Sequence, residues 1–153
     1  MYPDERVARF IRENLIPIRV HVRDQAADYQ RLSGQYAVQW TPTVLELDEN
    51  GVERHRIEGF LPTDDFLGQL MLGYAHIAFK QERWADAEQR FRQVVEAVPG
   101  SDSAPEALYW AGVSRYKASG KPEALGDTAR AFGERYQDSS WAKKASVWSP
   151  SAR

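Results

Sequence analysis

His21, His55 and His76 are the side chains best able to move a proton or bind a metal near neutral pH, and their spacing favours neither role. No two stand four residues apart, and no His-Glu-x-x-His or similar pair occurs, so no two imidazoles are set on one helix face. His21 and His55 fall at strand-like positions opposite the apolar set, and His76 lies beside an apolar helix face. Surface or structural roles are expected for all three. Asp48-x-Asn50-Gly51 begins like a calcium loop but lacks the later Glu ligand, and it reads as a hairpin turn. Asp64 and Asp65 sit at a helix start, where the helix dipole explains two adjacent carboxylates. There is no Gly-rich phosphate loop and no Gly-x-Ser-x-Gly elbow. The chain has no cysteine, which excludes disulfides, cysteine-based zinc sites and thiolate chemistry within it. No catalytic residue, metal or cofactor is therefore expected.

The five tryptophans are more informative. Trp40 is either an exposed binding platform or a core residue, and the sequence leaves both open. Trp84, Trp110, Trp141 and Trp148 fall on helical segments, where packing between helices is expected and a peptide-holding groove is the alternative. That groove would involve Tyr74, Tyr109, Trp110 and Tyr116.

With 153 residues, 42% apolar and 27% charged, the chain suits one globular domain or two small ones sharing a core. The net charge of -2 implies no general affinity for nucleic acid. Residues 1–70 carry 8 Arg, no Lys and 12 acids, a net of -4, and the remainder carries 12 bases and 10 acids, a net of +2. This mild asymmetry reads as a solvated surface. No apolar run approaches a membrane span and no signal peptide is visible, so the cytoplasm is expected, with the periplasm the alternative if the true start lies upstream of Met1.

The first half alternates in pattern. "DERVARFIREN", after Pro3, places Val7, Phe10, Ile11 and Asn14 at helical spacing. In "LIPIRVHV", Ile16, Ile18, Val20 and Val22 alternate with Pro17, Arg19 and His21, predicting a strand over 16–22. "DQAADYQRLSGQY" predicts a helix around Ala26 to Leu32, ended by Gly34. Asn50-Gly51 predicts a hairpin, because both residues tolerate positive φ, with strands at 43–47 and 54–58.

The stretch "YAVQWTPTVLELDENGVERHRIEGFLPTDDFLGQL" resembles the thioredoxin family pattern at Val38, Pro42, Thr43, Asp48, Gly51, Gly59 and Phe66. The resemblance covers roughly residues 3–72 and is specific as a combination rather than element by element. It implies that Thr41-Pro42 is cis and that Trp40, Thr41, Pro42 and Thr43 form a loop facing a substrate or partner segment. The family's Cys-x-x-Cys would lie upstream of Met1, as would its central strand. That strand would separate 16–22 from 43–47, and an unpaired buried row costs roughly 1–3 kcal/mol per polar group. Three outcomes follow: a true start upstream of Met1, direct antiparallel pairing of 16–22 with 43–47, or a strand from another chain in the gap. The first is favoured for the native protein and the second for this chain alone.

From Thr63, the expected N-cap, the period becomes 3.6. Helices are predicted to run from Thr63 to about Lys80, from Trp84 to Pro99-Gly100, from about Ala104 to Ser119, from about Pro122 to Tyr136, and onward from Ser139. Ala75, Phe79 and Ala87 match Gly112, Tyr116 and Ala124 at an interval of 37 residues. This stretch resembles tetratricopeptide repeats of the kind found in periplasmic cell-envelope proteins, over about residues 70–148.

The expected architecture is an α/β thioredoxin-like partial domain of about three strands over 1–72, then an all-α tetratricopeptide-like helical hairpin array over 68–148, with a disordered tail at 149–153. The expected function is a redox-inactive binding or adaptor module for a protein or peptide segment, without nucleic acid or a membrane span, and with a strand-mediated homodimer as one form of assembly. The alternative is a fragment of a thiol-disulfide oxidoreductase whose cysteines precede Met1. An insulin-reduction assay on this chain is expected to show no turnover above background; measurable reduction would exclude a redox-inert chain.

Overall fold

The computed structural model of the chain describes residues 4–150. Pro3 and the 151–153 part of the predicted tail lie outside the described residues. Among those described, the order is α1 (Glu5–Asn14), α2 (Ala26–Gln35), β1 (Thr43–Leu47), β2 (Glu53–Glu58), α3 (Thr63–Lys80), α4 (Trp84–Ala97), α5 (Ser103–Ser119), α6 (Glu123–Glu134), α7 (Ser140–Ala145) and a final 3-10 turn, Ser146–Trp148.

The hairpin is fixed by Asp48 as much as by Asn50-Gly51. Asp48 Oδ1 accepts from the backbone N–H of Asn50 and Val52 at 2.9 and 3.0 Å, while its Oδ2 pairs with Arg54 at 2.8 Å. These donors, that of Val52 first, hold its carboxyl below the ordinary range. Gly51 takes φ +73 in the same turn. The strands pair antiparallel, Val44 opposite Ile57 and Glu46 opposite His55, so Val44, Glu46, His55 and Ile57 share one face.

That face lies on α3, which also packs against α4 and α5. α1 also packs on α3 through its buried Val7, with its first turn set by Asp4, whose Oδ1 accepts from the Arg6 N–H. Thr63 is not the cap of α3: Pro62 holds that place and no side chain caps the helix. One hydrophobic core runs from Val7 and Ile57 through Leu70, Leu72, Ala75 and Phe91 to Ala107 and Ala111. The loops after α3, α4 and α5 are short, so successive helices are neighbours. Gly120, at φ +68, ends α5 and turns the chain toward α6.

Gly112 is required where α5 meets α6. A Cβ there would overlap both the hydroxyl and the Cβ of the buried Thr128. Gly112→Ala is expected to lower stability by about 1–3 kcal/mol through overpacking, reduced by roughly 1 kcal/mol of gained helix propensity. Urea denaturation checks this, and a net stabilisation would contradict the packing.

The α/β fold class expected from the sequence is overturned. The described residues hold seven α-helices and one two-stranded sheet, too small to organise an α/β layer, and α3 serves hairpin and helices alike. Residues 16–22 form no strand and do not pair with 43–47. Ile16 is 92% exposed and Ile18 84%. Alternating side chains suit a pleat, but a strand exists only through its ladder, and this segment meets no edge. α2 buries none of its residues. The chain just after it is tied to the hairpin by Tyr36 Oη, which donates to the Gly51 carbonyl at 2.9 Å, and by Arg56, which donates to the Tyr36 carbonyl at 2.5 Å. Arg56→Ala is expected to raise amide exchange across α2 while leaving the melting of α3–α5 nearly unchanged; equal loss of protection in both regions would contradict this.

Candidate functional site

Which backbone groups of β1 are free follows from the register. The Gly59 N–H donates to the Pro42 carbonyl at 2.8 Å, so these two are a hydrogen-bonded pair. The alternation then turns the N–H and C=O of Val44 and Glu46 toward β2, and those of Thr43 and Leu45 toward the opposite side. Among the described residues no third strand meets that side, so β1 has an open edge.

At the start of this edge stand the loop residues picked out by the sequence. Thr41-Pro42 is cis. Thr43 Oγ1 donates to the Trp40 carbonyl at 2.7 Å, which folds the loop back on itself. Trp40 is 67% exposed, so of the two roles left open for it, a core position is ruled out. Phe60, one residue beyond Gly59, stands at the same end of the hairpin and is 83% exposed. The structure thus places Trp40, Thr41, Pro42 and Thr43 together, and adds Phe60. The signal for Phe60 was the Gly59-Phe60 pair closing the hairpin opposite Thr41-Pro42.

The four residues of the predicted helical groove do not share one environment. Tyr74 meets Phe10 edge-on at 5.8 Å, and the Arg90 guanidinium lies 3.7 Å over its ring. Tyr109 stacks on Trp148 at 4.7 Å and touches Trp141 at 5.2 Å. Trp110 packs against His76 and Phe79 at 5.4 and 5.1 Å, with its indole N–H buried and unpartnered. Tyr116 is half-buried farther along α5. The surface around Tyr109 is thus covered by the chain's own C-terminal aromatics. A separate open groove of about 560 Å³ lies between α1, α3 and α4, lined by Arg9, Phe10, Met71 and Tyr74 among others.

Two of the three histidines meet. His55 and His76 stack with centroids 6.3 Å apart, although 21 residues separate them. His55 Nε2 donates to Gln69 Oε1 at 2.7 Å, and Gln69 Nε2 donates to Ser103 Oγ at 3.1 Å. His76 Nε2 lies 3.5 Å from Glu106. Burial lowers the His55 pKa. Beside them Glu46 is 5% exposed, with neither carboxyl oxygen hydrogen-bonded, and burial pushes its pKa up to about 8. Among the described residues no group of three or more His, Asp or Glu is arranged to hold a metal, and no helix is long and apolar enough to cross a membrane.

No family model, curated protein or solved structure matches this chain. The open edge offers two N–H and C=O pairs in a row, flanked by apolar rings. Such an arrangement can hydrogen-bond an extended backbone and pack its side chains.

Proposed function

We propose that the chain is a redox-inactive adaptor module that grips an extended polypeptide segment along the open edge of β1. The observation that carries this reading is a strand paired on one side only among the described residues, beside the exposed Trp40 and Phe60. The resemblance of residues 36–70 to the thioredoxin pattern, in which the matching loop faces substrate, supports the same four contact residues. Main-chain bonds from Thr43 and Leu45 supply affinity with little sequence preference, and Trp40 and Phe60 favour segments with alternating apolar side chains.

Carboxymethylated lactalbumin, a permanently unfolded polypeptide, is a suitable probe in a fluorescence anisotropy titration. The wild-type chain is expected to bind it. Trp40→Ala with Phe60→Ala is expected to weaken binding at least tenfold, about 1.4 kcal/mol. No binding by the wild type, or equal binding by the double variant, overturns the proposal.

One observation favours a second reading, in which the segment comes from another copy of the chain. Residues 15–23 carry Arg19 and Arg23 and no acid, a net of +2, whereas residues 43–58 carry, besides the buried Glu46, four acids and two arginines, a net of -2. The exposed Ile16 and Ile18 alternate as an added strand requires. Sedimentation equilibrium decides this: a dimer lost in Ile16→Lys with Ile18→Lys supports it, and a monomer at high concentration excludes it.

A further inference from the structure

The proposed contact leaves one buried titratable group unused. The Glu46 carboxyl lies against the backbone of α3 at Gly73, where a Cβ would overlap it. Among the described residues no cation reaches it. On β2 it faces His55, and the neighbouring Arg54 is committed to Asp48. Glu53, beyond, pairs with Arg56. α3 brings His76, itself beside Glu106 of α5, and carries full charges only at Asp64, Asp65 and Lys80 near its ends. A carboxylate in that position would be a buried charge without a partner.

We propose that this seam is a pH-operated joint, in which the hairpin stays docked on α3 while Glu46 is neutral and undocks as a unit when the carboxyl ionises, leaving α4 and α5 packed. The ionised group regains water only by parting β1 from α3. The ladder between β1 and β2 does not depend on α3, so the two strands leave together. The core around Phe91, Val94 and Val98 is held by α3, α4 and α5, whose contacts with one another do not depend on the hairpin; His76, which touches both His55 and Phe91, stays with α3 when the hairpin leaves. The raised Glu46 pKa places the change between its ordinary value of 4.5 and about 8, with the docked form lost as pH rises. His55, lowered by burial, acts in the opposite direction: docking is full above the ordinary histidine pKa and weakens as pH falls below it. His76 beside it works in the same direction as burial, while Gln69, Glu106 and Glu53 oppose it. The joint also moves the open edge of β1 relative to the helices, so pH would set how that edge is presented.

Amide hydrogen exchange on the full chain, corrected for intrinsic rates, tests this at pH 6 and pH 9. Residues 43–58 of the wild type are expected to lose roughly a hundredfold protection relative to α4 and α5. Glu46→Gln and Glu46→Leu are expected to abolish most of that difference, two variants being used so that misfolding of one does not decide the result. The proposal is overturned if hairpin protection is independent of pH, if α4 and α5 lose protection equally, or if whichever variant folds keeps the wild-type drop.

Discussion

Phe91→Ala is expected to cost about 3–5 kcal/mol, a large part of the roughly 5–15 kcal/mol that a domain of this kind has. Phe91 is fully buried on α4 and lies where α3 and α5 converge. Its ring meets His76 edge-on at 5.0 Å and Phe79 at 6.4 Å. Truncation removes these contacts and leaves a void between three helices, none of which can close it without moving the others. Leu70, Leu72, Val94 and Val98 are fixed around it in the same core. Urea denaturation should show a lower midpoint with an unchanged slope. Phe91→Leu, which retains most of the volume, should cost clearly less. Equal losses for the two variants would mean that the ring is not the centre of the helical core.

Glu46→Leu is expected to stabilise the chain, and by an amount that depends on pH. The folded carboxyl has its pKa pushed up to about 8 from 4.5 by burial alone. Between those values the folded state holds a proton that the unfolded state has released, so stability falls as pH rises. Each unit corresponds to about 1.4 kcal/mol, giving a penalty of roughly 3 kcal/mol at pH 7 that is absent below about pH 4.5. Leucine has similar bulk and no charge, so this part of the pH dependence should vanish. His55 contributes with the opposite sign: its lowered pKa gives stability present above the ordinary histidine range and lost as pH falls. The variant should therefore retain an acid limb and lose the slope on the alkaline side. Urea midpoints between pH 5 and pH 9 measure this. A difference between the two proteins that is the same at every pH would show that Glu46 is not held neutral.

The helices from α3 to α6 are legible because each buries a stripe against its neighbour in sequence. Ala75, Ala78, Ala87, Phe91 and Val94 recur at helical spacing, and all are fully buried. Of the 37-residue matches, Ala124 is 4% exposed and Gly112 meets Thr128 directly. The hairpin was legible from Asn50-Gly51, since its turn is decided locally. Residues 16–22 were misread because a period of two describes side-chain directions and says nothing of whether a partner strand exists. The three-strand α/β layer failed for the same reason. Thr63 was misassigned as a cap because its type suits that place, but Pro62 already occupies it. The His55–His76 contact was invisible, since it depends on how the hairpin docks on α3. The sequence carries a signal for Glu46: it is in phase with Val44, on the face turned to α3. The exposure of Trp40 could not be read from neighbours such as Thr41-Pro42, because the loop's direction is set by the docked hairpin.

The central claim is that β1 binds through its free edge. Backbone amide chemical-shift mapping on addition of carboxymethylated lactalbumin tests it most directly, alongside Leu45→Pro. Proline at position 45 removes an N–H that points off the open edge, so the hairpin should persist while an added strand loses a donor. The largest perturbations are expected at Thr43, Leu45 and Trp40, with binding much weakened in the variant. Perturbations confined to the helices, or full binding by a folded Leu45→Pro chain, would contradict it.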